Sequence, residues 1–456
     1  MAPKSAGQRF AEDLEERECE RLQDYALKSK VRRSDLGNGF REYENADLEY
    51  RTEYQRDRDR IIWSRSFKRL QHKTQILPAY STDHFRRRLT HVLEVTQVAT
   101  SIARALSINE DATEAMALAH DIGHAPFGHA GERALEEALS DVKEQLDRKE
   151  KSEGHTDGEQ WDTAVPVFAF NHALQGIETV DRIETESELK HPGLTFTHDV
   201  REGILKHRRW RGKDELRISG LSDVVAFSEY KALGADLGPL EAQCVLLADK
   251  ITYFFEDFED ALRSHVLNAS DVSERLKTFG NKLSNSVRKK FRPIHFDKVT
   301  DIDSFLAFRR CGLAAFILNA IMRAEEMIRK HSVRSLEDVR SCDQPIVGLQ
   351  PAVEEAREDV YRECIEDNTF GHELYQATDF KAKRIVKDLL RVYHQNQRLI
   401  PTRYREHAEE VYEDLVPDDD KRRVLMVRNY IAGMTDLFAI ARHKDLFMSG
   451  EQIQIA

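Results

Sequence analysis

The chain has 456 residues, of which 40% are hydrophobic and 33% are charged, which provides enough apolar material for one large domain or two coupled domains. This composition excludes an intrinsically disordered chain. The formal net charge of −12 argues against a generally basic nucleic-acid-binding protein, although it does not exclude local basic patches.

Residues 1–50 are highly charged and weakly periodic, which predicts a peripheral N-terminal segment. The first residues lead into acidic residues without the apolar block of a secretory signal. The apolar stretches farther along, such as Cys311 to Met322, are shorter than the roughly 20 residues that a membrane helix needs. The five cysteines are dispersed and odd in number, which indicates reduced structural thiols. We therefore expect a cytoplasmic protein that does not associate with a membrane.

The segment from Arg51 to Arg88 is strongly basic. It contains eleven Lys or Arg residues and four acidic residues, a surplus of +7. In an acidic chain this asymmetry indicates a site for an anionic ligand such as a polyphosphate. A solvated helix face with alternating charge explains the same composition, and composition alone does not decide between the two.

His91 begins a helical stripe. It shares one helix face with Val95, Val98 and Ile102, so its ring points inward. An inward histidine is either a metal ligand or a core residue with a hydrogen-bond partner, and the core role is the commoner of the two.

The dipeptide His-Asp occurs twice. His120-Asp121 follows an apolar helical stretch and precedes Gly123, a residue that suits a helix C-terminus. At a helix end both side chains can turn toward one divalent cation. His198-Asp199 lacks that setting and is predicted to be structural.

His129, Glu132 and Arg133 fall at positions i, i+3 and i+4 of the next predicted helix. Glu132 can orient His129 and raise its basicity, which would suit His129 for general acid catalysis. A surface ion pair between Glu132 and Arg133 explains the same spacing. Beyond them, the polar run at 141–162 has no apolar periodicity and predicts a mobile insertion.

The next motif places Asp249, Tyr253 and Asp257 on one helix face, with Lys250 beside it. Asp249 has apolar neighbours along the chain, and a buried carboxylate needs a cation. Helical periodicity then continues to the end of the chain, while the β signal is thin. The periodic stretches are 241–262, 302–331, 352–391 and 422–446. The sequence therefore predicts an all-α fold.

Taken in order, these motifs resemble the deoxyguanosinetriphosphate triphosphohydrolase-like family of HD-domain dNTPases. The resemblance extends from about residue 50 to 446, and several spaced motifs in one order are far more specific than one His-Asp pair. The segments that carry it are 55–75, 86–91, 118–132, 248–253 and 430–436. It implies an HD-domain helical core at 51–265 and additional C-terminal helices at 266–456 packed on that core.

The resemblance also implies roles for individual residues. A divalent metal ion, Mn²⁺ or Mg²⁺, would have four ligands: His91, His120, Asp121 and Asp249. Substrate contacts would come from Gln75 and Asp257 at the sugar, and from Arg88, His124, Lys250 and Tyr253 at the phosphates. Proton transfer would fall to His129 with Glu132, and His124 would assist at the reacting phosphate.

Two segments depart from the family pattern. In residues 170–175, Asn171 stands where relatives carry an acid and Ala173 where they carry asparagine, which leaves the role of His172 open. In the C-terminal motif, Asn429 and Leu437 stand where relatives usually carry Asp and Arg. A regulatory or interface role in that motif is therefore open as well.

The implied reaction is hydrolysis of dGTP or another dNTP to deoxynucleoside and inorganic triphosphate, with attack at the α-phosphorus. A divalent ion would neutralise charge there and activate water, while the basic residues would hold the β- and γ-phosphates. His129 would protonate the leaving 5′-oxygen. Whether water or His129 attacks first is open.

Two alternatives remain at this point. One is an HD-type phosphohydrolase that acts on another nucleotide, and the other is a regulator that binds dNTPs or single-stranded nucleic acid through the basic segment. The resemblance further implies a homo-oligomer, often a hexamer, and allosteric binding of a dNTP.

Overall fold

The computed structural model describes residues 6–36, 50–75, 86–152, 167–185, 193–206, 237–282 and 299–448. In these ranges the regular structure is helical, apart from two isolated β-bridges, one of which joins Thr74 to Arg87. The predicted all-α fold is confirmed.

Eighteen α-helices lie within the described ranges. The first nine are α1 Ala6–Arg21, α2 Ser29–Leu36, α3 Glu53–Trp63, α4 Arg65–Arg69, α5 Arg88–Ala105, α6 Glu110–Ala119, α7 Gly128–Ser152, α8 His172–Glu178 and α9 His198–Lys206. The others are α10 Leu240–Arg263, α11 Ala269–Lys282, α12 Ile302–Lys330, α13 Leu336–Ser341, α14 Pro351–Tyr361, α15 Glu373–Gln395, α16 Thr402–Tyr412, α17 Asp419–Ala432 and α18 Asp436–Phe447. Short π-helical segments continue α8 through Ile183 and α14 through Thr369.

The apolar side chains form two hydrophobic cores. The first core takes its buried residues from Leu22 to Ile365, and α5, α6 and α10 pack together within it. The second core combines α7 with α15, α16 and α17, and its buried residues run from Ala125 to Ala439. The chain between α6 and α7 passes from one core to the other.

Gly123 lies in that connection and is required by close packing. A Cβ atom at this position would lie 2.1 Å from the carbonyl oxygen of His172 and 2.2 Å from the backbone nitrogen of Gly176. The sequence predicted a glycine that ends a helix, but α6 already ends at Ala119. The absent side chain instead allows the start of α8 to pack against the connection.

The structure refines four expectations about elements. Residues 141–152 belong to α7 and are helical, whereas 153–162 lie outside the described residues. The periodic stretches 352–391 and 422–446 are helical, and each contains more than one helix, with His372 capping α15 and Thr435 capping α18. The described part of residues 1–50 is not peripheral, since Leu27 is fully buried in the first core.

One described helix, α12, is long and apolar enough to cross a membrane when length and composition alone are considered. Helices α17 and α18 meet the same criterion only as a pair, which is bent by 119°. Core helices also meet it, and Phe305, Phe316 and Ala320 of α12 are buried in the first core.

Candidate active site

The four proposed metal ligands come from two helices and from the start of the connection after α6: His91 lies on α5, Asp249 on α10, and His120 and Asp121 directly follow α6. The nearest possible ligand atoms of His91, His120 and Asp121 lie within 4.8 Å of one another, and all three side chains are buried. Asp249 adjoins this group, with its Oδ1 atom 3.1 Å from Nε2 of His91. Two imidazoles and two carboxylates are a suitable donor set for a divalent transition metal.

His91 and His120 both direct Nε2 toward the proposed ligand Asp121. Nδ1 of His91 lies 2.7 Å from Glu256 Oε2, and Nδ1 of His120 lies 2.6 Å from the carbonyl oxygen of Ala117. Each Nδ1–H therefore donates to an oxygen, which leaves Nε2 as the nitrogen that faces Asp121 and would coordinate a metal ion. Such partners hold the rings of metal-binding histidines in metal sites generally.

The local charge strongly favours a cation. Burial by itself lowers the pKa of His91, but the neighbouring Glu256 and Asp249 carboxylates raise that pKa well above its ordinary value. Burial raises the pKa of Asp121, yet His120 and Arg88 bring it well below its ordinary value. The same negative field that retains a proton on His91 would stabilise a metal cation.

Arg88 joins the proposed metal ligand Asp121 to the backbone of Thr74. It is 1% exposed, its Nη1 atom donates to Asp121 Oδ2 over 2.6 Å, and its Nη2 atom donates to the carbonyl oxygen of Thr74 over 3.2 Å. A cation in this position can also meet an anionic group that approaches Asp121.

A second cluster lies beside the first and contains His124, His129, Glu132 and His172, whose ligand atoms lie within 4.8 Å of one another. Glu132 is its centre, because its carboxylate lies 3.0 Å from Nδ1 of both His129 and His172. The rings of His124 and His172 are stacked with centroids 4.0 Å apart. His124 also connects the two clusters, since its Nε2 lies 3.2 Å from Asp121 Oδ1.

Glu132 is an anion that orients its neighbours. Burial raises its pKa, but His172 and the hydrogen bond to His129 bring that pKa well below the ordinary range. The expected alternative, a Glu132–Arg133 surface pair, is wrong because Arg133 pairs with Asp379 at 2.7 Å. His129 exposes 64% of its side chain, so it is supported by Glu132 and still accessible to a ligand.

The remaining predicted substrate residues lie mainly on α10. Asp249, Tyr253 and Asp257 occupy successive turns of this unbroken helix and share one face. Two contacts join this part of α10 to α14. Lys250 Nζ lies 3.5 Å from Glu354 Oε1, and the hydroxyl of Tyr361, the last residue of α14, donates to Asp257. This group meets the metal-ligand cluster through Asp249.

Several predicted substrate residues have buried polar atoms without a hydrogen-bond partner among the described residues. These atoms are Gln75 Oε1, Arg88 Nε, His124 Nδ1 and Asp257 Oδ1. An unsatisfied buried polar group costs about 1–3 kcal/mol. A polar ligand that supplied the missing partners would offset this cost.

The basic segment from Arg51 to Arg88 is largely occupied by internal ion pairs. Arg51 pairs with Asp59, Arg58 with Asp111 and Arg86 with Glu259, at 2.8, 2.8 and 2.9 Å respectively. The surplus of positive charge is therefore distributed over several parts of the fold. This arrangement gives little support to a continuous nucleic-acid-binding face.

The second His-Asp pair has structural partners, in agreement with the prediction. Asp199 accepts hydrogen bonds from Arg32 and from the Tyr54 hydroxyl, each at 2.8 Å. His198, Asp199 and Glu202 also lie close enough to hold a metal, but Glu202 pairs with Arg340 at 2.6 Å. Protein cations thus occupy both carboxylates.

Sequence reasoning assigned no role to three residues around the site. Glu256 was detectable, because it lies seven residues after Asp249 and therefore on the same helix face. His172 was left open, and its contact with Glu132 joins residues 40 positions apart. Arg357, which is 1% exposed and bonded to Glu354 at 2.9 Å, carries no local motif that marks it.

The chain matches two protein-family models: the HD domain over residues 88–253 and the phosphohydrolase-associated domain over residues 347–445. It is also similar to curated proteins named deoxyguanosinetriphosphate triphosphohydrolase-like protein. The one from Ralstonia pickettii (strain 12J) is 34% identical over 87% of this chain and 88% of its own length. Those from Bordetella pertussis (strain Tohama I) and Azoarcus sp. (strain BH72) are 33% and 32% identical, over 88% and 94% of this chain and 91% and 97% of their own lengths.

Proposed function

Since the chain belongs to the deoxyguanosinetriphosphate triphosphohydrolase-like family of HD-domain proteins, we propose that it hydrolyses dGTP or other dNTPs to deoxynucleoside and inorganic triphosphate. The observation that carries this proposal is the buried group of His91, His120 and Asp121 with Asp249 adjoining it. The names of these relatives supply the substrate class. The donor set suits a divalent ion, with Mn²⁺ or Mg²⁺ proposed.

The metal ion would supply Lewis acidity at the α-phosphate. Arg88, Lys250 and Tyr253 would bind the phosphate chain and hold the scissile bond in line. This is a task of positioning and electrostatic stabilisation. The buried Arg88 guanidinium is already oriented by Asp121 and Thr74, so little reorganisation would be needed when substrate binds.

His129 and Glu132 would move the proton. The Glu132 carboxylate accepts from Nδ1 of His129 and fixes the tautomer, so a protonated His129 would present Nε2–H outward. That proton would pass to the 5′-oxygen of the leaving deoxynucleoside. His172 shares Glu132 and would keep the carboxylate in place.

Gln75 and Asp257 would recognise the deoxyribose. Gln75 Oε1 and Asp257 Oδ1 are buried and without hydrogen-bond partners among the described residues, and both can accept from a sugar hydroxyl. The Tyr361 hydroxyl holds the other carboxyl oxygen of Asp257. A 3′-hydroxyl would thus find a fixed acceptor on α10.

A product assay tests the proposed function. The protein is incubated with each dNTP, alone and in pairs, in the presence of Mn²⁺ or Mg²⁺, and phosphate products are separated by ion-exchange chromatography. We expect inorganic triphosphate and deoxynucleoside, and stimulation in a pair would support the proposed allosteric dNTP. Asp121→Ala serves as the control and should lose metal and activity together, since it removes a proposed ligand.

Other products favour the alternatives. Pyrophosphate with deoxynucleoside monophosphate would reject release of the whole triphosphate. Hydrolysis of a monophosphate or cyclic nucleotide in preference to dNTPs would indicate another HD-type phosphohydrolase. Tight, salt-dependent binding of an oligonucleotide with no hydrolysis under either metal would favour the regulatory protein.

A further inference from the structure

Asp436 connects the last helix to two segments that approach the proposed active site. It lies at the first position of α18 and is 2% exposed. Its Oδ2 atom accepts hydrogen bonds from the backbone nitrogen of Thr74, at 2.8 Å, and from the Thr74 hydroxyl. Its Oδ1 atom accepts from the backbone nitrogen of Phe127 at 2.8 Å. One carboxylate therefore joins segments that are more than 50 residues apart in the chain.

The Thr74 contact leads to the proposed metal ligands. The carbonyl oxygen of Thr74 accepts from Arg88 Nη2, and Arg88 Nη1 donates to Asp121. Thr74 also forms a β-bridge with Arg87, directly before α5. A shift of Thr74 would therefore move the guanidinium that fixes Asp121.

The Phe127 contact leads to the proposed proton-transfer residues. Phe127 and Gly128 have φ angles of +65° and +58°, and α7 begins at Gly128. Positive φ is unfavourable for a bulky residue such as phenylalanine, so its surroundings must maintain it. Because His129 and Glu132 lie in the first turns of α7, the hydrogen bond to Phe127 helps to set their direction.

Lys73 makes a second link between the C-terminal helices and the connection from α6 to α7. Lys73 is buried, and its Nζ atom donates to the carbonyl oxygen of Ala432, at 2.9 Å, and to that of His124. Ala432 ends α17, and Asp436 begins α18. The bend between the two helices thus holds the connection between α6 and α7 near His124 and at Phe127.

We propose that Asp436 is a positioning residue for the active site, one that holds Arg88 and the start of α7 in a single arrangement through Thr74 and Phe127. It is not one of the proposed metal ligands or substrate-binding residues. Its effect on turnover rests on the proposed function, whereas its effect on the geometry of the connection does not. The C-terminal helices accordingly belong to the catalytic structure.

Asp436→Asn tests the proposal because it keeps the shape but replaces one acceptor oxygen with a donor NH₂, which must face the N–H of Thr74 or Phe127. The matched control is Asp418→Asn. Asp418 caps α17 by accepting from Lys421, at 2.7 Å, and asparagine caps as well as aspartate. Both full-length variants are compared with the wild type in Mn²⁺, by hydrogen exchange, metal content, thermal unfolding midpoint and steady-state kinetics.

For Asp436→Asn we expect exchange of the Phe127 amide to accelerate by about tenfold or more, while amides of α12 keep their wild-type rates. We expect kcat to fall about 10- to 100-fold with KM changed by less than about threefold, because supporting residues of this kind typically have effects of that size. Metal stoichiometry should stay at the wild-type value, and the unfolding midpoint, lowered somewhat by the unpaired buried donor, should stay well above the assay temperature. Asp418→Asn should match the wild type in every measurement.

Two results would overturn the proposal: exchange at residues 124–132 that stays at the wild-type rate, or a loss of kcat that merely follows a lowered unfolding midpoint. If the wild-type protein hydrolyses no dNTP, the proposed function fails. The exchange measurement would then still decide whether Asp436 holds the connection.

Discussion

At the scale of single residues, His91 lies between two carboxylates that have different tasks. Asp249 faces Nε2, where the metal ion is proposed, while Glu256 accepts from Nδ1 on the other side of the ring. Glu256 is 1% exposed, so its charge acts on the ring with little screening by water. The Glu256 carboxylate thus supports His91 as a ligand without itself being one.

We expect Glu256→Gln to weaken Mn²⁺ binding about 10- to 100-fold, because the ring would lose the anion that fixes its tautomer and raises its basicity. Titration calorimetry measures the affinity. Glu259→Gln is the matched control, since Glu259 lies on the same helix and pairs with Arg86 but does not contact His91 in the structure. Equal metal affinity in the two variants would contradict the role of Glu256.

We expect His129→Ala to retain metal and to lose at least about 100-fold in kcat, since general acid catalysis typically contributes that much. His129 is 64% exposed and bonded to Glu132, so its removal leaves little cavity and should not alter the fold. Metal analysis and steady-state kinetics test this. A rate within a few-fold of the wild type would remove His129 from proton transfer.

The position of His91 on an inward stripe could be predicted from helical periodicity, and Val95, Val98 and Ile102 are indeed buried with it. Periodicity could not choose between a core histidine and a ligand, because that depends on Glu256 and Asp249, which lie more than 150 residues away in the chain. The order of the motifs supplied the missing information. Helical periodicity could not predict the contact of His172 with Glu132, since Glu132 lies on another helix.

At the scale of elements, Glu241 ties together three parts of the first core. It is buried at the start of α10, and its Oε1 atom accepts from the backbone nitrogens of Leu27 and Asn109, each at 3.0 Å. Asn109 caps α6, and Leu27 lies between α1 and α2. Burial raises the pKa of Glu241 to about 7, although these hydrogen bonds lower it.

This pKa predicts a specific pH dependence. The folded protein binds the Glu241 proton more tightly than the unfolded chain, so this residue's contribution to stability falls as pH rises from about 4.5 to 7 and is constant above that. Glu241→Gln removes the contribution. We expect the free energy of unfolding of the variant, relative to the wild type, to rise by up to about 3 kcal/mol between pH 5 and pH 8.

Urea unfolding at both pH values measures that change. Glu144→Gln, on an exposed part of α7, is the control and should leave the pH dependence of unfolding unaltered. A difference between Glu241→Gln and the wild type that is the same at pH 5 and pH 8 would be evidence against a raised pKa.

Element boundaries were less predictable than element type. Apolar periodicity correctly indicated α10 and α12, which are long and unbroken. It did not detect the break between α17 and α18, because both helices keep apolar faces while the chain turns at Gly433. Similarly, the second half of α7 is helical despite its polar composition, since one face still packs through Val142 into the second core.

At the scale of the whole molecule, the N-terminal helices are attached by a buried ion pair. Arg32 of α2 donates to Asp199 of α9 at 2.8 Å, and the Asp199 side chain is fully buried. Burial by itself raises the pKa of Asp199, but the neighbouring His198 and the hydrogen bonds from Arg32 and Tyr54 bring it down to about 2. Asp199 is therefore charged at neutral pH and depends on Arg32 for compensation.

We expect Arg32→Met to lower the free energy of unfolding by about 3–5 kcal/mol at pH 7, because it leaves a buried charge without its cation. Urea unfolding followed by circular dichroism measures the loss. The double variant Arg32→Met/Asp199→Asn should recover part of it, since the uncompensated charge is then gone. A loss below about 1 kcal/mol in the single variant would show that this pair does not secure the N-terminal helices.

The division into a core at 51–265 and a C-terminal region at 266–456 stays a proposal. The two hydrophobic cores do not coincide with this division. Helices α12 and α14, which belong to the proposed C-terminal region, pack in the first core, while α7, which belongs to the proposed HD core, packs in the second. Composition could not reveal which helices pack in which core, since this assignment arises from the path of the chain between α6 and α7. A homo-oligomer and a cytoplasmic location likewise stay predictions from the resemblance and the sequence.

Helix α10 also sets which changes of the chain the site can accept. Asp249, Tyr253, Glu256 and Asp257 lie on one rigid rod, and each residue advances the helix by about 100°. A single residue inserted between Asp249 and Tyr253 would rotate Tyr253, Glu256 and Asp257 away from the face that carries Asp249. Glu256 would then be separated from His91, although every side chain was still present. Substitutions on the opposite face would leave this angular phase intact. For α10, length is therefore under a stricter constraint than composition.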